Sequence, residues 1–265
     1  MPIRYEKDGA VATFIIDNGK VNPTNPAMHK ELFEYLQDFE RDRDLKVGIL
    51  RGAGDRAFCA GDDIKTPRRR LETEENVMRH FFHHDAEDEF NYPGWEREVL
   101  ALHRMKPIIA AVNGWCLGQG MVYLLQLSDM RISGDDAKYG FPEIAYGIGG
   151  AGGLSRIYRH LPRAVALKML LTGDPIDAQE ALRLNLVNEV VPKDQVMTRA
   201  RELADRIAGH NLIAIRTEME SYNRTEFMDR ENSNAMAEHL YRLQILALRT
   251  EDFPIDFKSK RPSSY

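Results

Sequence analysis

Arg56-Ala57-Phe58-Cys59-Ala60-Gly61-Asp62-Asp63-Ile64 decides the reading of this chain, and Asn113-Gly114-Trp115-Cys116-Leu117-Gly118-Gln119-Gly120 completes the pattern. Each segment follows an apolar run, Val47 to Leu50 in one case and Ile108 to Val112 in the other, and places small residues where a strand ends. Small residues let a ligand come close to the backbone, so that main-chain N–H groups can point at it. Two such segments supply two donors able to converge on one carbonyl oxygen. That is an oxyanion hole for an enolate, a chemistry that asks for little beyond the hole and one placed base.

Outward from these segments the periodicities alternate. Residues 3–8 and 11–17 alternate about Lys7-Asp8-Gly9 as a hairpin does. Pro26 opens a helix whose apolar stripe is Met28, Leu32, Phe33, Leu36 and Phe39. Strand 46–51 leads into the first glycine-rich segment. A helix over 94–105 and a strand over 107–112 lead into the second, and a helix over 119–126 and a strand over 129–133 follow. The alternation predicts an α/β core with a parallel sheet, and the glycine-rich turns fall at strand carboxyl ends, where such sheets hold ligands. Beyond Gly153 the pattern is helical over 153–160, 163–171, 177–184, 194–209, 211–224 and 230–248, with one short strand near 187–190. The reading is a core over 1–195 and a helical region over 196–265. The irregular, histidine-rich stretch 65–98 is long enough to serve as a lid.

At 265 residues and 43% hydrophobic, the chain can bury a full core. Its net charge of −5, with both signs spread along the sequence, argues against a nucleic-acid partner. Cys59 and Cys116 are its only cysteines and both lie in the glycine-rich segments, which argues for a reducing compartment over a disulfide scaffold. The N-terminus MPIRYEKDGAVATFIID lacks a signal peptide's apolar stretch, and no apolar run reaches the roughly 18 residues that span a bilayer. The expectation is a cytoplasmic protein without a membrane partner.

Further motifs continue the series: Asn22-Pro23 with Met28, Phe141-Pro142-Glu143-Ile144, Gly147-Ile148, Ala151-Gly152-Gly153 and Leu171-Thr172-Gly173. Ala178-Gln179-Glu180-Ala181 and Leu186-Val187-Asn188-Glu189-Val190-Val191-Pro192 complete it. With these in order, the chain resembles the crotonase (enoyl-CoA hydratase/isomerase) superfamily from end to end. The resemblance implies the crotonase α/β spiral of repeated ββα units with a C-terminal helical trimerisation region, assembled as homotrimers or as hexamers of paired trimers. It implies an acyl-CoA thioester substrate, of which coenzyme A is a part, with no separate cofactor and no metal. The thioester oxygen would accept from the N–H groups of Ala60 and Gln119. Cys59, Ala60, Asp62 and Ile64 would flank the adenine, while Phe257 and Lys260 would help hold adenine and phosphates. Gly118 and Val122 would line the acyl pocket, while Trp115 and Tyr146, which flank the motifs, either pack in the core or line that pocket.

Glu143 is the candidate acid/base, because its Phe-Pro-Glu-Ile setting is apolar and desolvation raises a carboxyl pKa. The alternative is a surface carboxylate at a turn after Pro142. The resemblance places Glu143 at one of the two glutamates that hydratases of this superfamily use. Val122 stands at the other and cannot hold or deprotonate water, and Gln119 replaces a glycine. Single-glutamate members include isomerases and hydroxycinnamoyl-CoA hydratase-lyases. The stretches Lys106 to Cys116 and Glu143 to Ile148, with terminal Tyr265, are similar to the latter. Tyr241 would there bind a phenol, or else pack at an interface. His80, His83 and His84 stand at metal-ligand spacing on one helix face, but their charged neighbours fit a solvated lid helix better. Lys65 and Arg68-Arg69-Arg70 either reach CoA phosphates or form a solvated basic run. Asp62 and Asp63 read as loop caps, and Cys59 as a small packing residue. The expectation is an enzyme that adds or removes water at the α,β double bond of an enoyl-CoA thioester. A double-bond isomerase and a non-catalytic acyl-CoA-binding protein are the alternatives.

Overall fold

Burial alternates only in part along the first hairpin, because just one of its strands lies at the sheet edge. β1 (Ile3–Asp8) buries Ile3 and exposes most of the rest, whereas β2 (Val11–Ile16) is buried at nearly every position. The computed structural model describes residues 2–66, 73–82, 86–87 and 94–250. Helix α1 (Pro26–Arg41) is capped by Asn25, whose side chain accepts from the Met28 N–H, and Pro26 occupies the first turn, where no donor is required. Then come β3 (Val47–Gly52), β4 (Ala57–Cys59), α2 (Glu74–Phe82), α3 (Trp95–Ala101), β5 (Ile108–Val112), β6 (Trp115–Leu117) and α4 (Gln119–Leu127). β7 (Met130–Gly134), β8 (Lys138–Gly140), a 3₁₀ turn (Pro142–Tyr146), α5 (Ala151–Ser155) and α6 (Arg163–Thr172) follow. The chain continues through β9 (Ile176–Asp177), α7 (Ala178–Arg183), β10 (Glu189–Val191), α8 (Val196–Ala208), α9 (Leu212–Thr225) and α10 (Arg230–Thr250).

The strands form a larger sheet in the order β1-β2-β3-β5-β7-β10 and a smaller one in the order β4-β6-β8-β9. Apart from the antiparallel β1, the larger sheet is parallel throughout. In the smaller sheet β4, β6 and β8 run parallel, with β9 antiparallel at the edge. The pairs β3/β4, β5/β6 and β7/β8 each leave the larger sheet and enter the smaller one. That repeat makes the spiral.

Both faces of the larger sheet are covered, which is why its strands read as continuous apolar runs. One face packs with α1 and α4 through Phe14, Leu36, Phe39 and Leu124. On the other, Val47, Ile49, Ile109 and Ile132 meet the small face of α8, formed by Val196, Ala200 and Ala204. Helix α8 therefore belongs to the first of two compact units, Met1–Ala208, although the sequence pattern places the change of character at 195/196. The second unit, Gly209–Tyr265, contains α9 and α10. Among the described residues no helix is long and apolar enough to cross a membrane.

The long elements lie close to where periodicity puts them. Strands β4, β6 and β8, three residues each, escape it because alternation cannot register over so short a run. The glycine-rich segments therefore extend from the smaller sheet rather than directly from the larger one. The helix expected over 153–160 breaks at Arg156, which takes φ 50 between α5 and a 3₁₀ turn at Ile157–Arg159.

Phe39 is fully buried, edge-on to Phe14 with 5.6 Å between ring centroids. Phe39→Ala is expected to lower stability by about 3–5 kcal/mol, read from urea unfolding of the whole chain.

Candidate active site

Strands β4, β6 and β8 are parallel neighbours, paired at Cys59 with Cys116 and at Leu117 with Gly140. Their carboxyl ends therefore lie side by side and deliver three segments to one place: Ala60 to Asp62, Gly118 to Gln119, and Glu143. On the far side of the first segment runs Val21 to Thr24. The Ala60 N–H donates to Val21 O at 2.9 Å, the Thr24 N–H to Gly61 O at 2.9 Å, and the Asp63 N–H to Thr24 O at 2.7 Å. Asn22, wholly buried at φ 51, anchors this run by donating from Nδ2 to Ala53 O and Ala57 O, both at 2.9 Å.

The expectation that the Ala60 N–H serves the oxyanion hole is thereby corrected, since Val21 already accepts it. Thr24 and Asp62 form a parallel bridge whose two bonds use Gly61 O and Asp63 N. In such a bridge the intervening residue directs its own N–H to the opposite side. The N–H of Asp62 thus points away from the Val21–Thr24 run. A β-carbon on Gly61 would touch Leu117 O at 3.5 Å and Gln119 N at 3.9 Å, so the two segments are in backbone contact here. Gln119 opens α4, and the first N–H groups of a helix have no partner within it. They sit at the positive end of the helix dipole.

Glu143 arrives from β8. Buried Phe141 ends the strand run, Pro142 starts the 3₁₀ turn, and Gly147 closes it in the left-handed conformation. Gly118 takes φ 53, and a β-carbon there would lie 2.6 Å from Glu143 Oε1 and 3.5 Å from Gly61 Cα. The carboxyl therefore lies over bare glycine, beside the first segment. Glu143 is half-buried, and its Oε2 is enclosed with no hydrogen-bond partner among the described residues. Burial raises its pKa; its own backbone N–H offsets part of the rise, and the nearby charge of Asp62 adds to it.

The other expected residues are distributed as follows. The buried Gln119 carboxamide lies close to the Tyr123 hydroxyl, one turn along α4. Val122 is enclosed in the core cluster. Tyr146 is exposed one 3₁₀ turn beyond Glu143, hence on the same face, and Trp115 is partly exposed at the start of β6. Cys59 and Cys116 are buried free thiols; burial pushes the Cys59 pKa up to about 12 and that of Cys116 well above the usual range, which keeps them from acting as nucleophiles. Ile64 and Lys65 are exposed, and Asp63 caps their turn by accepting from the Lys65 N–H at 3.0 Å and Thr66 Oγ1 at 2.9 Å. Tyr241 is exposed on α10 of the second unit. His83, His84, Arg68 to Arg70, Phe257, Lys260, Tyr265 and the side chain of His80 lie outside the described residues. Among those described, no group of His, Cys, Asp or Glu could hold a metal ion.

One cluster was missed from the sequence. His29 of α1 is buried, with Nδ1 against the Tyr123 hydroxyl and Nε2 3.5 Å from Asp62 Oδ1. Thr24, wholly buried, donates from Oγ1 to the same oxygen at 3.1 Å. The available signal was an imidazole beside the apolar stripe of α1, whose partners Tyr123 and Asp62 are distant in sequence.

The sequence pattern of the enoyl-CoA hydratase/isomerase family matches residues 6–264. The chain belongs to that family. It is 34% identical over 259 residues to the carnitinyl-CoA dehydratase of Proteus mirabilis, covering 96% of this chain and 94% of that one. To the (E)-benzylidenesuccinyl-CoA hydratase of Thauera aromatica it is 34% identical over 211 residues, 78% of this chain and 77% of the relative. The crystal structure of an enoyl-CoA hydratase from Bacillus anthracis matches with a TM-score of 0.77 at 30% identity, covering 94% of this chain and 96% of that chain.

Two outcomes follow for this family member. Gly118→Ala puts a methyl group against Glu143 at a backbone angle unsuited to alanine, and is expected to lower kcat/KM by about 10²-fold while circular dichroism stays unchanged. The second concerns stability. A carboxyl whose folded pKa is raised contributes fully below its unfolded pKa and loses that contribution as pH rises through the folded value. Glu143→Gln, which mimics the protonated form, should therefore melt higher than the parent above the ordinary carboxylate range. At lower pH the two melting curves should converge.

Proposed function

We propose that this enoyl-CoA hydratase-type enzyme adds or removes water at the α,β double bond with Glu143 as its proton carrier. The N–H groups of Asp62 and Gln119 hold the thioester oxygen. The observation that carries this reading is the Glu143 carboxyl lying over Gly118, beside Gly61 and the head of α4. Burial and the charge of Asp62 raise the pKa of that carboxyl, which favours its protonated form, the one a general acid uses. When water adds to the β-carbon, the π electrons move onto the α-carbon and thioester oxygen. Glu143 then protonates the α-carbon, and the proton released by the added water restores the Glu143 carboxyl. Each N–H donor contributes about 3–4 kcal/mol to holding the developing charge.

Coenzyme A lies along Cys59, Ala60, Asp62 and Ile64 in this reading, with Lys65 toward its phosphates. Trp115, Gly118, Val122 and Tyr146 border the acyl group. An aryl-bearing acyl group is favoured by the likeness of Lys106 to Cys116 and Glu143 to Ile148 to hydroxycinnamoyl-CoA hydratase-lyases. The name of the Thauera aromatica relative, which carries a benzylidene group, supports the same choice. The enzyme works as a trimer or as paired trimers in the cytoplasm.

Incubation with mixed 2-enoyl- and 3-enoyl-CoA thioesters, aromatic ones included, in heavy-oxygen water tests this reading by mass spectrometry. Uptake of labelled water into one thioester is the expected outcome, and Glu143→Gln should slow it by about 10²–10⁴-fold with coenzyme A binding retained. A shifted double bond at unchanged mass would make the protein an isomerase. Unaltered thioesters throughout, with coenzyme A still bound, would point to a binding protein.

A further inference from the structure

We propose that Asp62 is the second carboxylate of the hydration reaction and holds the water that Val122 cannot. This rests on the Glu143 reading above and adds a residue to it. Asp62 follows Gly61, whose backbone lies against Gly118 and Gln119 beside the Glu143 carboxyl, and its charge reaches that carboxyl. Its side chain is 23% exposed, while that of His29 behind it is only 3% exposed. The carboxylate is therefore the most exposed member of the polar chain it forms with Thr24, His29 and Tyr123.

That chain fixes its direction. Oδ1 accepts from Thr24 Oγ1 at 3.1 Å and faces His29 Nε2 at 3.5 Å, and the other imidazole nitrogen meets the Tyr123 hydroxyl. A neutral imidazole protonated on Nε2 satisfies both contacts: its N–H faces the carboxylate, and Nδ1 accepts from the tyrosine. Tyr123 is enclosed on α4, and burial together with the charges of Glu96, Cys59 and Asp62 holds its pKa well above the usual range, so it remains a donor. Among the described residues, the ionisable groups near Asp62 include His29 from α1, Glu143 from the 3₁₀ turn and Cys59 from β4. Tyr123 of α4 and Glu96 of α3 stand behind His29. Asp62 and Glu143 sense each other, since the charge of Asp62 contributes to the raised pKa of Glu143.

The reaction balances with these two groups. The water oxygen bonds to the β-carbon as its proton passes to the Asp62 carboxylate. The π pair moves to the α-carbon, which takes the proton of the Glu143 carboxyl. Transfer of the proton from Asp62 to the Glu143 carboxylate restores both groups, and dehydration runs the same steps in reverse.

Two reactions separate the roles. Hydration of crotonyl-CoA and cinnamoyl-CoA needs both carboxylates, whereas exchange of the α-protons of butanoyl-CoA in deuterated water needs only Glu143 and the N–H donors. Asp62→Asn keeps the backbone donor and an acceptor for Thr24, and is expected to slow hydration by about 10²-fold or more, while exchange, which feels only the lost charge beside Glu143, changes by less than about 10-fold. Glu143→Gln should lose both reactions. His29→Gln, which frees the carboxylate from behind, should slow hydration by a smaller factor and likewise spare exchange. Hydration by Asp62→Asn within about twofold of the parent would overturn the role of Asp62, as would equal loss of hydration and exchange. Either result leaves the Glu143 reading standing. A parent enzyme that performs neither reaction would overturn both.

Discussion

Backbone lies directly on backbone where β4 crosses the second glycine-rich segment. A β-carbon at Gly114 would fall inside the Arg56 carbonyl, and one at Gly120 inside the Cys59 carbonyl. Both ends of β4 are thereby seated against the chain that forms β6 and the start of α4. Side chains at either glycine would push the two segments apart. The pairing of β6 with β8 then brings Glu143 to the same edge. Placement of all three functional segments follows from that close approach and from the shared direction of the three short strands.

The second constraint is which way each N–H faces. In an unbroken strand Ala60 and Asp62 would direct their N–H groups to the same side. Gly61, at φ 112, interrupts that alternation, so that the Ala60 N–H turns to Val21 while that of Asp62 turns away from Thr24. Residue types in the segment carry the idea of a donor but not its parity. The Val21–Thr24 run, which decides parity, is distant in sequence and reads locally as an ordinary loop anchored by Asn22.

Electrostatics in the site depend on enclosure. The acidity of Glu143 is weakened first by burial and further by the charge of Asp62. The apolar neighbours in sequence foretold the direction of that shift. They did not foretell Asp62 as a contributor, because it stands on another strand. The same holds for His29 and Tyr123, separated along the chain yet joined through one imidazole.

The sequence by itself determined the strand–helix alternation, the two glycine-rich segments and the candidacy of Glu143, because periodicity, small residues and apolar neighbours are local properties. Its motifs also carried the family resemblance that the full-length match establishes. Only the tertiary structure decided that three-residue strands form a second sheet, that α8 closes the first unit, that the Ala60 N–H is taken, and that Asp62 stands between Thr24, His29 and Glu143. Each of these depends on pairing between residues far apart in the chain, where direction and distance are set by packing and leave no periodic trace.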